Sequence, residues 1–401
     1  MRKDLNMSRV NYMRKSIAYA GEFDFPLGDP GSIRVLSNGK IFRDIGYDVS
    51  FFCHKGSKSL QPVSGEYQGF YFSKKSISNN KIIRMGERLL RGINTLSLLK
   101  KYNHNYPELI VYYGCSSSFL LPLLLFARRN GIKLLVDVVE WYDYSHLPLG
   151  KYGPVALDMH FALTRLIPKC DGVIGISSYL TDYYSSRGVK SIRIPQLYDM
   201  HEEKWNFSEP DSFDNQSLNL VYAGVPGRKD LIGNAVRGLK ILKAEGNKVK
   251  LHLFGPSMND VRFCLDKDAP LVDELQGTSL IFHGCISPEQ IPSMLAKADF
   301  SILLRPDARY ANAGFPTKLV ESFAAGVPVI ANLTSDIGMY LRDGDNGIVL
   351  EDWSVETFVR KVCELNRLPK ARIKQMKEAA RIEAVRSFDY RNYIDNIEHF
   401  L

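Results

Sequence analysis

The stretch Ala311–Asn332, ANAGFPTKLVESFAAGVPVIAN, decides how this chain reads. Gly314 and Pro316 stand before a helical pattern whose first turn carries Thr317 and Lys318. Glu321 follows one turn later, and Gly326–Pro328 lead into an apolar strand. A helix entered through such a loop presents open N–H groups and the positive end of its dipole, which suits a phosphate. Glu321 has two carboxylate oxygens that can accept from a pair of hydroxyls, as a ribose diol requires. The competing reading is an ordinary loop–helix–strand unit with a surface glutamate. The glycines alone would support that reading, whereas the whole string points to a nucleotide site.

The surrounding sequence has the same grammar. Lys15–Ala20, Val49–Cys53, Leu109–Tyr113, Leu134–Val139, Gly172–Ile176 and Ser191–Ile194 read as buried parallel strands. Gly31–Ile45, Ser117–Asn130, Asp158–Lys169 and Tyr179–Arg187 read as the helices between them, the last capped by Ser178 or Thr181. Residues 200–217 are polar and aperiodic, as a linker would be, and the alternation resumes at Leu218–Ala223. The predicted fold is α/β, with two facing Rossmann-like domains and the ligand in a cleft at their strand C-terminal ends. The expected division is a first domain over 1–199, the linker over 200–217 and a second domain over 218–385. A tail helix over 386–401 is expected to return to the first domain.

Composition narrows the class. Of 401 residues, 45% are hydrophobic and 24% charged, which excludes a disordered tail, a collagen-like fibre and a coiled coil. The net charge of +8 favours anionic partners such as nucleotide phosphates or acidic lipid. No helix-turn-helix or RNA-module pattern appears, so nucleic acid is not expected. The cysteines Cys53, Cys115, Cys170, Cys264, Cys285 and Cys363 are far apart, which argues against disulfides and zinc and for a reducing compartment. The apolar run Phe119–Ala127, broken by Pro122, is too short to span a bilayer, and the basic N-terminus lacks a signal-peptide core. A cytoplasmic protein is expected, at most peripheral on the inner membrane.

The string from Ala311 resembles the donor-sugar motif of glycosyltransferase family 4, retaining enzymes of the GT-B fold found in bacterial surface-polysaccharide synthesis. That motif has two glutamates eight positions apart, followed by A-x-G-x-P-V. Glu321 matches the second, which the resemblance assigns to the ribose, while the first falls on Ala313. Gly314, Phe315, Pro316 and Thr317 match the loop whose amides face the diphosphate. YAGVPGRKDLIGNAVRGLKIL, Tyr222–Leu242, resembles the opening of the donor domain. Lys229 matches the family lysine, the usual arginine falls on Gly224, and Arg228 is the candidate substitute. Gly255 and Gly284 would let ligand approach the backbone. Arg305, ending a strand, either adds charge to the diphosphate site or forms a structural ion pair.

In the first half the resemblance covers Gly21–Cys53, where Gly28, Gly31 and Ser32 would turn N–H groups toward phosphate or acceptor, with Arg34 reaching the same anion. After the strand Leu134–Val139 the family carries a polar group near the anomeric carbon. Glu140 is the favoured candidate over Asp143 and His146, and Asp137 reads as a satisfied structural acid. DGDNG, Asp343–Gly347, reads as a hairpin loop and not a metal motif. In Asn80–Tyr102, Arg84, Arg88 and Arg91 share one helical face and Ile82, Met85, Leu89, Ile93 and Leu96 another. Such a helix either rests on anionic lipid or packs its stripe into the core.

The resemblance thus implies a metal-independent, cofactor-free retaining sugar transferase. It would move sugar from a nucleotide-sugar to a lipid-linked or oligosaccharide acceptor, with Glu140, Lys229 and Arg228 in the chemistry. The alternatives are a GT-B sugar-nucleotide epimerase and a non-catalytic nucleotide-sugar-binding protein, the latter suggested by Ala313.

Overall fold

A computed structural model describes residues 15–26, 29–57, 63–76, 80, 86–87, 89–102, 106–144, 147, 149–207, 211–227 and 230–401. The first half runs β1 (Ser16–Gly21), α1 (Pro30–Ile45), β2 (Asp48–Ser57), β3 (Val63–Tyr67), β4 (Phe70–Ser76), α2 (Arg91–Tyr102), β5 (Leu109–Tyr113), α3 (Ser117–Asn130), β6 (Lys133–Val138), α4 (Pro154–Phe161), β7 (Gly172–Gly175), α5 (Ser178–Ser185) and β8 (Ser191–Arg193). The second half opens with β9 (Leu218–Ala223), α6 (Ile232–Ala244), β10 (Val249–Phe254), α7 (Met258–Leu265), α8 (Leu271–Leu275), β11 (Leu280–Gly284), α9 (Ile291–Ala296) and β12 (Phe300–Leu303). It closes with α10 (Arg309–Ala313), α11 (Thr317–Ala324), β13 (Val329–Asn332), β14 (Gly347–Leu350), α12 (Val355–Leu365), α13 (Lys370–Phe388) and α14 (Ile394–Phe400).

The strands form two sheets. One has the order β3-β4-β2-β1-β5-β6-β7-β8, the other β11-β10-β9-β12-β13-β14. Among the described pairings the registers are parallel, as in Ile17↔Val49 and Leu220↔Leu251, except for the antiparallel β3–β4. The apolar runs read as strands form these ladders, largely buried in β1, β5 and β7, whereas β8, also read as buried, is only half-buried at the sheet edge. The β3–β4 hairpin carries no such run, because β3 is largely exposed and its solvent-facing residues leave no apolar pattern.

The chain divides into two compact units, one of residues up to 137 with 158–172 and 396–401, the other of 138–157 and 173–395. Within the first, a charge sits inside the core. Arg34, 1% exposed, donates through Nη2 and Nε to Asp137 Oδ1 at 2.7 and 2.9 Å. Tyr19 donates to Asp137 Oδ2 at 2.6 Å, and Asn38 donates to the Tyr19 hydroxyl at 3.1 Å. Asp137 is therefore a satisfied structural acid, and Arg34 is committed to it instead of to an outside anion.

The expected helix over Asp158–Lys169 is broken differently. After α4 the backbone widens into a π stretch, Ala162–Leu166, and tightens into a 3₁₀ turn, Ile167–Lys169, where Pro168 has no N–H for a continuing ladder. The cap of α5 is Ser177, one residue before the expected Ser178. Residues 200–217, read as a linker, pack closely where they are described. Trp205 lies edge-on to Tyr198, and Phe213 stacks on His252 at 4.0 Å.

His252 carries a deducible tautomer. Asn219 uses its amide nitrogen on Asp214 O at 2.7 Å, so its Oδ1 accepts from His252 Nε2, 3.2 Å away. His252 Nδ1 must then accept from His283 Nε2 at 2.9 Å. Burial, with His283 and Lys250 nearby, depresses the His252 pKa to about 3. None of the six cysteines forms a disulfide. No helix among the described residues is long and apolar enough to cross a membrane.

Candidate active site

The site is built on the loop from β12 to α11 in the second unit. Phe315 turns its ring inward between Tyr340 and Phe388, at 5.6 and 5.9 Å between centroids, and so pins the loop. Ser177 donates its hydroxyl to Ala313 O at 2.6 Å, which ties α5 to the same loop. Glu140 is brought to this point: a Cβ on Gly314 would lie 4.0 Å from its Cγ and 3.6 Å from Val139 O. Beside it, the Arg309 guanidinium sits 3.7 Å over the Trp141 ring.

Helix α11 begins after Pro316 with no side-chain cap, so its first N–H groups remain for a ligand or water. Lys318, in that first turn, folds back toward the strand ends. Its Nζ lies 3.1 Å from Asp230 Oδ2 and 5.1 Å from the Tyr222 ring, whose hydroxyl donates to the same Oδ2 at 2.9 Å. Burial acts to raise the Asp230 pKa, yet Lys318 and Arg305 hold it below the usual carboxylate range. Burial lowers the pKa of Arg305 itself against the opposing charges of Asp230 and Glu140, and its Nε has no partner. Arg305 thus stands within reach of both acids without a direct ion pair to either among the described contacts.

Gly224 and Gly255 make this packing possible. Both hold positive φ, 107° and 99°, and a Cβ on Gly224 would come within 3.4 Å of Lys318 Cε. The backbones of the β9 and β10 ends touch there, with Gly224 N–H donating to Phe254 O at 2.8 Å.

One turn into α11, Tyr198 donates to Glu321 Oε1 at 2.7 Å, while Oε2 makes no hydrogen bond among the described residues. Burial raises the Glu321 pKa, opposed by the Tyr198 hydrogen bond and Lys318. The arrangement orients the carboxylate and leaves one oxygen for a ligand hydroxyl.

The structure therefore brings Glu140, Arg305, Gly314, Phe315, Pro316, Thr317, Glu321, Gly224 and Gly255 into one unit. Arg228 and Lys229, expected to meet the diphosphate, lie outside the described residues, as do Gly28, His146, Arg84 and Arg88. In the first unit Ser32 spends its amide on the α1 cap, donating to Asp29 Oδ1 at 2.9 Å, so that N–H is not open to a ligand anion. Gly31 is needed for packing, since a Cβ there would meet the Tyr113 hydroxyl at 2.9 Å. Arg91 is ion-paired with Glu22. Tyr198 and Arg309 were not singled out in the sequence, and Lys318 was noted in the first turn of the helix without a role of its own. Among the described residues no group of three or more His, Cys, Asp or Glu could hold a metal ion.

Residues 204–383 match the family described as "Glycosyl transferases group 1". A comparison with curated proteins finds no significant match. Among solved structures, the chain is similar to sucrose-phosphate synthase (tll1590) from Thermosynechococcus elongatus, with TM-score 0.68, 14% identity, and 96% of this chain and 98% of that one covered. It is similar to the lipopolysaccharide outer core galactosyltransferase WaaB in its apo form, with TM-score 0.60, 17% identity and coverage of 96% and 100%. It is also similar to Anabaena Alr3699/HepE in complex with UDP and glucose, with TM-score 0.65, 14% identity and coverage of 96% and 98%. Two parallel-sheet Rossmann-like units, GT-B neighbours spanning nearly the whole chain and a group 1 domain over residues 204–383 together make this protein a GT-B glycosyltransferase.

Proposed function

We propose that the protein is a metal-independent, retaining glycosyltransferase of family 4 that takes a nucleoside-diphosphate sugar as donor. The observation that carries this reading is the uncapped first turn of α11, which carries Lys318, with the oriented carboxylate of Glu321 one turn further on. Spaced in this way, a cation and amides take the diphosphate and the carboxylate takes the ribose. Glu140 stands beside Gly314, where the sugar would follow the diphosphate, and Arg309 lies over the neighbouring Trp141 ring.

Retention is served by attack from the face the leaving group departs from. The acceptor hydroxyl passes its proton to the departing diphosphate, so the protein supplies preorganised positive charge more than a strong base. Lys318 and the α11 amides supply it, and Lys229 and Arg228, which the family resemblance assigns to the same charge, would add to it. Glu140 lies where it can hold the acceptor or steady positive charge at the anomeric carbon.

A lipid-linked glycan acceptor, and with it polysaccharide synthesis at the cytoplasmic face of a membrane, is supported by the surface of the first unit. Leu89, Leu90 and Ile93 around α2, and Leu121 and Leu125 on α3, are exposed. Because Arg91 is paired with Glu22, this apolar patch rather than Arg91 would meet lipid. The reading is tested by thermal-shift screening in EDTA against UDP-, GDP-, dTDP- and ADP-sugars, followed by transfer assays with the stabilising donor. One nucleotide should raise Tm, by an amount that grows with the logarithm of its concentration over Kd. If none does, or if the donor is turned over without an acceptor as an epimerase would do, the proposal fails.

A further inference from the structure

Helix α11 carries Lys318 and Glu321, and its far end is closed by a residue with no part in the site described so far. An α-helix leaves its last four carbonyls without intrahelical donors. Three of those in α11 find backbone partners in the turn that follows. Ala325 donates to Glu321 O at 3.0 Å, Val327 to Ser322 O at 2.8 Å and Gly326 to Phe323 O at 2.9 Å. The fourth, Ala324 O, meets a gap, because the residue four positions on is Pro328, which has no N–H. Arg381 of α13 fills that gap, its Nη1 donating to Ala324 O at 2.6 Å.

The same guanidinium holds a second element. Its Nη2 donates to Met200 O at 3.4 Å, and its Nη1 lies 3.9 Å from Met200 Sδ. Met200 stands two residues past Tyr198, the donor to Glu321 Oε1. The backbone around Tyr198 is fastened to the end of α13 and the residues after it. Tyr198 donates to Phe388 O, Tyr390 to Tyr198 O and Met200 to Asp389 Oδ2. Arg381 thus joins the segment that carries Tyr198 to the helix that carries Glu321.

A plain helix cap would touch the helix alone, as Lys377 does one turn earlier on α13. Its ammonium donates to Ala296 O at 2.7 Å and Ala298 O at 2.9 Å, at the end of α9. Arg381 differs in spanning two elements whose side chains meet. Burial lowers its pKa, opposed by Asp389, so the half-buried cation carries a solvation cost that its carbonyl partners and the negative end of α11 offset.

We infer that Arg381 is a positioning residue for nucleoside binding: by tying Ala324 O to Met200 O it sets the register in which Tyr198 meets Glu321, and so the aim of that carboxylate. The inference rests on the assignment of Glu321 to the ribose, so one arm of its test is read without ligand. The first arm is calorimetry with UDP and uridine, or the pair for whichever base stabilises the protein. Arg381→Met should raise Kd about fivefold for nucleoside and diphosphate alike, the scale of one weakened hydrogen bond, leaving their ratio constant. Arg381→Lys keeps the charge but reaches one carbonyl, and should lose less. In a Tyr198→Phe background Arg381→Met should cost nothing further, because the contact it sets is already gone. Lys377→Met, which strips the cap from α9, should lower the urea midpoint and move neither Kd.

The second arm follows the Glu321 carboxyl by ¹³C NMR titration of the free protein. The Tyr198 hydrogen bond opposes the burial that raises the Glu321 pKa. Tyr198→Phe and Arg381→Met should each raise it further, and the double variant no more than Tyr198→Phe. Should Arg381→Met fail to fold, Arg381→Lys takes its place in both arms. Additive losses in the double variant, a loss confined to the diphosphate, or a Glu321 titration unmoved by the Arg381 variants overturns the inference. If no nucleoside diphosphate binds the parent while the Glu321 titration shifts as expected, the transfer reading falls and Arg381 keeps its role.

Discussion

Replacing Lys318 by methionine separates the phosphate-binding role of α11 from its ribose-binding role. The Lys318 ammonium is 3.1 Å from Asp230 Oδ2, so a diphosphate must share or capture a cation that already has a carboxylate partner. A charge-assisted hydrogen bond lost from the diphosphate is worth about 1.5–3 kcal/mol. That corresponds to roughly a 12- to 150-fold rise in Kd for the nucleoside diphosphate. The bare nucleoside lacks the phosphates and should bind parent and variant alike.

Asp230→Asn works in the opposite direction. With its carboxylate neutralised, Lys318 is released to the ligand, and diphosphate affinity should hold or increase. Calorimetry with UDP and uridine (or the diphosphate and nucleoside of whichever base stabilises the protein) against both variants completes the comparison. An equal loss for nucleoside and diphosphate in Lys318→Met would mean that the lysine only supports the fold around Asp230. An unchanged diphosphate Kd would remove it from the site.

Glu321→Ala should weaken nucleoside and diphosphate together, each by about 1.5–3 kcal/mol, because the ribose is common to both; a ligand lacking the ribose hydroxyls should be indifferent to the change. His252 gives a pH signature. Its folded pKa near 3 lies below the ordinary value of 6.5, so the unfolded chain gains a proton the native state refuses as pH falls through 6.5. Stability should drop by about 2 kcal/mol between pH 7 and 5 on this account, and urea denaturation of His252→Gln should lack that component. Asp137→Asn should destabilise the first unit by about 3–5 kcal/mol, since it strands the Arg34 charge in the core; an Arg34→Met/Asp137→Leu double variant should cost far less in the same denaturation assay.

How much of this was legible in the sequence depended on the distance between partners. The parallel strands were plain because a strand buried on both faces is a continuous apolar run, as in Leu109–Tyr113. The α11 loop was plain because glycine, proline, lysine and glutamate lie within eight positions. Lys318 was in view, but its importance rests on Asp230, 88 residues earlier, and no local pattern announces that pairing. The same holds for Arg34, which read as a cation at a helix start until the distant Asp137 claimed it, and for Arg91 with Glu22. The β3 edge strand escaped because largely exposed residues carry no hydrophobic record of their pairing.

Ala313 is fully buried, and its carbonyl is held by the Ser177 hydroxyl. It occupies the position where the resembling family carries its first glutamate. A single-residue change to glutamate at 313 is therefore not accommodated by this loop. A carboxylate at 313 would have to be desolvated or would tear the loop from α5, and either outcome disturbs the loop that leads into α11. An engineer seeking a different sugar preference would need to graft the segment from Pro306 to Pro316 together with its Ser177 anchor, or retune Arg309 and Glu140, whose side chains lie beside the loop and leave its backbone course intact.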